Sequence, residues 1–201
     1  MTNEYFLHKI KHVDTDEMAF SSDAKTKIRT EGVSTCIAFI VRGNFWYEDE
    51  LVSFCGLYHW SGFALQTKAF PEAAMTVLKY FFRTLRNHLE VEPDEPLMLS
   101  ELAFVGGERG QIDADTGKLL VSGTEKEVYY IHEAIRHFNY KKFLINIDSK
   151  NIHHHHFLTS GEQFLSITVD LGGWTYLLEE AQPELEHNTG YGDSIHSIGI
   201  K

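Results

Sequence analysis

The chain has 201 residues, 43% of them hydrophobic and 23% charged, enough to bury one sizeable core and too short for two ordinary independent domains. Eighteen basic against 29 acidic residues leave a formal charge of −11, which repels nucleic acid and anionic membranes at long range and argues against a nucleic-acid partner. No apolar run approaches the ~20 residues of a membrane span, so no membrane insertion is expected; two cysteines, Cys36 and Cys55, are too few for a disulfide framework and fit a reducing cytosol.

Residues 1–27 are mostly polar and predict a loosely ordered lead-in, with Tyr5, Phe6 and Leu7 as a short strand or packing hook. They lack the basic start, apolar stretch and small-residue cleavage site of a secretory signal. A cytoplasmic location is therefore expected, with delivery by a specialised injection machine as the alternative. Residues 36–41 have the length and β-branched content of a strand covered on both faces. Residues 51–58 resume a strand pattern, predicting a hairpin with a long connection through the turn residues and acids of 42–50.

Met75, Leu78, Phe82, Leu85 and Leu89 recur three and four apart after Pro71, the clearest helical stripe in the chain, and Pro93 and Pro96 forbid its continuation. A strand over 97–105 follows and stops at Gly106-Gly107. After the turn Asp115-Thr116-Gly117, the capping-box spacing of Thr124 and Glu127 introduces a second helix over 124–139. Residues 143–147 and 164–169 read as strands, and the glycine-rich end from Asn188 as loose. These elements predict a single α+β domain, a mainly antiparallel β-sandwich with the two amphipathic helices packed outside it.

A thiolate attacks an amide carbon well when a neighbouring imidazole removes its proton. If Cys36 begins one strand and His59 ends its antiparallel partner, chain reversal brings them to one edge of the sheet despite 23 intervening steps of sequence. Thr30 lies on the approach to Cys36, Gly32 lets that approach bend, and the hydroxyl or the carbonyl of Thr30 would orient the ring. The competing reading is that Cys36 is a small buried hydrophobe and His59 a satisfied structural histidine.

The wording around these residues is more specific. Thr30-Glu31-Gly32-Val33-Ser34-Thr35-Cys36 resembles the Thr-x-Gly-x-x-Ser-Cys segment of the CheD chemoreceptor glutamine deamidases, and Gly56-Leu57-Tyr58-His59 is similar to their Gly-Gly-x-x-His strand. The resemblance covers roughly residues 28–170, its specific motifs about a dozen positions, and it extends to the related deamidase toxins such as cytotoxic necrotizing factor. It implies a CheD-like fold and hydrolysis of an exposed glutamine on a protein substrate through a Cys36 thioester, with His59 as base, Thr30 in support and no cofactor or metal. The longer connection from Cys36 to His59, the extra Asp-Thr-Gly hairpin and Cys55-Gly56 in place of Gly-Gly depart from the family and leave a chemotaxis or effector role open. Cys55 is the alternative nucleophile.

His153, His154, His155 and His156 invite a metal reading, but adjacent strand residues point to opposite faces, so the four cannot converge on one ion. A surface or strand-edge role is expected. Gly106-Gly107 lacks a dinucleotide context and predicts a tight turn bordering the site. Two other functions stay open: the same chemistry on another amide, and a catalytically silent module that binds a protein through acidic loops such as Glu48-Asp49-Glu50. A thiolate paired with imidazole would react unusually fast near neutral pH.

Overall fold

The computed structural model describes residues 9–64 and 69–180. In chain order they form β1 (Lys9–His12), β2 (Met18–Ser21), β3 (Thr26–Val33), β4 (Ile37–Tyr47), β5 (Glu50–Trp60), α1 (Phe70–His88), β6 (Leu97–Gly106), β7 (Gln111–Ile112), β8 (Leu119–Val121), α2 (Glu125–His137), β9 (Ile145–Asn146), β10 (Ile152–His156), β11 (Gln163–Val169) and β12 (Trp174–Glu180). No helix among the described residues is long and apolar enough to cross a membrane.

Side chains alternate across a strand, and in β4 each set meets a different layer. Ile37, Phe39 and Val41 join a core with Leu78, Phe81, Phe82 and Leu85 of α1 and Ile131 and Ile135 of α2. Ala38 and Ile40 join another core with Ile28 and Val33 of β3 and Leu165, Ile167 and Val169 of β11. The large sheet, in the order β10-β6-β4-β5-β2 with β9 beside β6, is thus covered by the helices on one face and by the small sheet β1-β3-β11-β12 on the other. This is the α+β architecture the periodicities predict, mixed rather than purely antiparallel, because β1–β3, β6–β9 and β6–β10 run parallel. Phe39 is the hub of the helix-side core, with Tyr58, Trp60, Phe81 and Phe104 set edge-on to it at 4.8–5.7 Å between ring centroids, the geometry that ring quadrupoles favour.

Several expectations need correction. The lead-in is ordered from Lys9 onward: β1 pairs with β3, and β2 pairs with the far edge of β5. Tyr5, Phe6, Leu7 and the tail from Asn188 lie outside the described residues. Residues 143–147 contribute only the two-residue β9, because Tyr140–Phe143 forms a 3-10 turn that ends on Leu144 at φ 51°. The capping box does not form, since Thr124 makes no side-chain cap bond to α2.

The long connection between β4 and β5 is instead a turn of two residues, Glu48 and Asp49, with φ of 47° and 65°. Positive φ at both central positions matches the twist of the flanking strands, so pairing runs on to Tyr47 and Glu50. A side chain in that conformation costs about 1–2 kcal/mol per residue. The double substitution Glu48→Asn with Asp49→Gly is expected to stabilise the fold by about 1 kcal/mol. It should read as a higher denaturant midpoint at unchanged slope, and a lowered midpoint would refute the turn assignment.

Candidate active site

The three residues that the spacing brings together come from both sheets. His59 sits near the end of β5, opposite Ala38 of β4. Ala38 and Leu57 belong to the core between the sheets, so the His59 side chain, two residues beyond Leu57, points toward the small sheet. Cys36 precedes Ala38 by two residues and packs against that same core, half-buried. The thiol and the imidazole therefore share one face of the large sheet. Thr30 faces them from β3, whose residues Glu31 and Gly32 form a bulge opposite β11, with Gly32 at φ +72°. The bulge turns the chain out of the small sheet and toward Cys36.

Thr30 fixes the ring and its tautomer. Its Oγ1 lies 2.7 Å from the Val13 carbonyl and 2.7 Å from His59 Nδ1. A carbonyl can only accept, so the hydroxyl proton goes to Val13, and Oγ1 must accept from Nδ1–H. That leaves the lone pair on Nε2, which is buried without a hydrogen-bond partner. The orienting group is the hydroxyl, not the backbone carbonyl. The thiol does not complete the chain, because Nε2 has no hydrogen-bond partner. Cys36 lies in the bend just before β4, tied by its carbonyl alone to Gly107, just past the end of β6.

The sequence reading passed over Asp16. At φ 64° it sits in the crossing from the small sheet to β2, where its N–H donates to the His59 carbonyl at 2.6 Å. Its carboxylate accepts from the Ser61 N–H at 2.9 Å and the Ser61 hydroxyl at 2.8 Å. Asp16 so clamps the end of β5, and its charge acts on both site residues. Burial, then Asp16, push the Cys36 thiol up. Burial pushes His59 down, against the pull of Asp16 and Asp14. The resting pair is a neutral thiol beside a neutral imidazole, not the preformed thiolate that would react fast near neutral pH.

An expected result follows for pH dependence. Iodoacetamide labelling of Cys36, followed by peptide mass analysis, should be slow at neutral pH and climb only above the ordinary thiol range. Asp16→Asn removes a negative charge that disfavours thiolate, so the climb should move to lower pH. Fast labelling that persists into mildly acidic solution would overturn the neutral resting state.

Gly106 and Gly107 lie beside Cys36, but the expected tight turn is absent: Gly106 ends β6, paired with Ile37 on one side and His156 on the other. Gly107 N–H donates to the Cys36 carbonyl at 2.8 Å. A Cβ on Gly106, at φ +113°, would collide with that carbonyl oxygen and lie 2.7 Å from Val33 Cγ1, so only glycine allows the approach. His156 braces Gly106 from the other side, its Nδ1 2.9 Å from the Gly106 carbonyl. Thr124 is used here rather than as a helix cap: its hydroxyl accepts from the Glu108 N–H at 2.8 Å, and its own N–H donates to the Glu108 carbonyl at 2.9 Å.

Cys55 is fully buried between the sheets, and burial raises its thiol to about 11. It pairs with Arg42, six residues along β4 from Cys36, roughly 20 Å at strand rise and far beyond disulfide reach. The four histidines form the edge strand β10 and alternate as strand geometry requires. His154 stacks on Phe104 and meets His132 of α2, and His155 meets Trp174 of the small sheet. Among the described residues no group of three or more His, Cys, Asp or Glu side chains is placed to hold a metal ion. No family model and no curated protein matches this chain.

Proposed function

We propose that the protein is a cysteine-dependent amidohydrolase that converts the side-chain amide of a glutamine on a protein substrate to a carboxylate. Cys36 is the nucleophile, His59 the general base and then acid, and Thr30 a positioning residue. One observation carries the reading: the Val13–Thr30–His59 relay sets the ring so that Nε2 holds a free, buried lone pair on the face that bears the thiol. An unsatisfied buried acceptor costs about 1–3 kcal/mol; His154 Nδ1 and His156 Nε2 are also without a partner, and His59 differs from them in the hydroxyl that fixes its tautomer and in the thiol on its face.

In this scheme the half-buried thiol turns so that Sγ–H reaches Nε2. Nε2 takes the proton as sulfur bonds to the carboxamide carbon, and the oxygen becomes an oxyanion. The Cys36 N–H and a neighbouring loop amide are the candidate donors to it. The imidazolium, favoured by Asp16, returns its proton to nitrogen as the C–N bond breaks and ammonia leaves. Water, deprotonated by Nε2, attacks the thioester, glutamate is released, and sulfur recovers its proton. Glutamine and water give glutamate and ammonia, with no redox change and no cofactor.

The test is intact-mass analysis of a panel of purified proteins after incubation with the chain, paired with an ammonia assay. Each turnover adds about one mass unit and releases one ammonia. A second reading, a catalytically silent protein-binding module, draws support from the missing thiol–imidazole bond and the raised thiol pKa. Binding to a panel member with no mass change and no ammonia would decide for it. Free glutamine and peptide amides belong in the same panel, because a cysteine and a histidine alone do not select among amides.

A further inference from the structure

The small sheet ends on one side in β1 and on the other in β12. The first edge carries the usual safeguards against pairing with another chain: it is four residues long and bears Lys9 and Lys11. The other is less protected, its charges confined to Glu179 and Glu180 at one end. β12 is seven residues long, contains no lysine and no proline, and runs in unbroken register with β11 from Val169↔Trp174 to Gln163↔Glu180. No described element pairs with its outer edge. Tyr176, Leu177 and Leu178 are 47%, 59% and 45% exposed. Tyr176 and Leu178 lie across from Ile167 and Leu165 and so face the inner side of the sheet; Leu177, across from Ser166, faces the outer side. Trp174 anchors the start of the strand to the large sheet through its Nε1–H bond to Glu101, 2.7 Å.

We propose that β12 pairs antiparallel with β12 of a second copy of this chain, joining two small sheets into one continuous sheet across a two-fold axis. The faces of the strand restrict the register, and full overlap selects one. Opposed residues of an antiparallel pair share a face, and a two-fold normal to the sheet preserves faces, so the axis passes through a residue and not between two. Centred on Leu177, it pairs all seven residues: Leu177 with its own copy, Tyr176 with Leu178, Thr175 with Glu179, Trp174 with Glu180. Each acid then meets an uncharged partner, and the large side chains meet one another, the pairing that stabilises sheets. A shift of the axis to Glu179 would set the two glutamates face to face. The charge of −11 on each copy opposes association at long range, so the dimer strengthens with added salt. One strand pair is a small interface, which makes assembly reversible and concentration-dependent.

Sedimentation velocity of the full chain from micromolar to millimolar concentration, at low and moderate salt, tests this. A monomer–dimer equilibrium that tightens with salt is expected. Leu177→Lys places two like charges directly opposite and should weaken it by roughly tenfold. Leu120→Lys, on the exposed β8, should leave it unchanged. Leu177→Cys should give a covalent dimer on mild oxidation, because opposed residues lie about 4.5–5.5 Å apart at Cα, within disulfide range. Leu178→Cys should give far less, since Tyr176 of the second copy faces it, and the unsubstituted chain supplies the background from Cys36. Matching circular dichroism melts for the variants show that the fold is kept. A chain that stays monomeric throughout, a dimer indifferent to Leu177→Lys, or equal cross-linking at 177 and 178 overturns the proposal, the first leaving the edge to an extended peptide of another protein.

Discussion

Cys36→Ser is expected to lower the kcat of glutamine deamidation by at least about 10³-fold, and His59→Ala by nearly as much. A hydroxyl at this position is a poorer acid and a poorer nucleophile than the thiol, in a site arranged for the longer reach of sulfur. Because nucleophile and base act as a unit, the double variant should be barely worse than either single one. Cys36→Ser is mild for the fold, since Cys36 lies half-buried in a bend outside β4; His59→Ala removes a buried ring and its bond to Thr30 and lowers stability, while the backbone bonds to Asp16 and Glu17 hold the end of β5. Cys55→Ala is the control, since that thiol is fully buried and held neutral by burial. The ammonia assay and the intact mass of the substrate give the rate, and circular dichroism checks folding. Activity that survives Cys36→Ser and is lost in Cys55→Ala would show that the motif around Cys36 is coincidental.

The parts of the fold that announce themselves in the sequence are those with an undiluted period. β4, β5 and β6 carry long apolar runs because both faces of their sheet are covered, and α1 shows its stripe because one face alone meets the core. β3 hid for the opposite reason. It alternates strictly, Thr26, Ile28 and Thr30 inward against Lys27, Arg29 and Glu31, but two of its three inward residues are threonines. The one that made the strand look polar is the one that holds His59. β12 hid because its side chains are exposed on both faces, so no alternation exists to be seen. That His59 ends the strand antiparallel to the one that follows Cys36 was legible from the apolar runs and their reversal, although Cys36 lies in the bend before β4 and does not begin it. Asp16 was not, because its role depends on a crossing between sheets that no local pattern announces. The direction of the Cys36 sulfur was not legible either, since the residue lies in a bend before the strand begins.

Thr30→Val is expected to reduce kcat by roughly 10²-fold with little change in KM. Valine nearly matches threonine in shape, and position 30 is 1% exposed, so what the substitution removes is the hydroxyl and its two bonds. Without an acceptor at Nδ1–H, the proton gains nothing by staying there, and the tautomer with the proton on Nε2 competes. That form has no lone pair toward the thiol and cannot act as the base. The hydroxyl also accepts more strongly from a charged ring than from a neutral one, so its loss should lower the His59 pKa further below the ordinary value. The acid limb of kcat/KM should then move to lower pH even as its plateau falls. Thermal stability will fall as well, since the Val13 carbonyl and Nδ1 are left unpaired, and stability alone cannot distinguish a positioning role from a structural one. Two readouts can: imidazole 15N signals of the Nδ1–H form in the wild type that shift toward the Nε2–H form in Thr30→Val, and Thr30→Ser, which keeps the oxygen, restoring both the tautomer and most of the rate. If Thr30→Val loses stability but keeps kcat, the acid limb and the tautomer, then the hydroxyl merely ties the two sheets together, and His59 is oriented by its own strand.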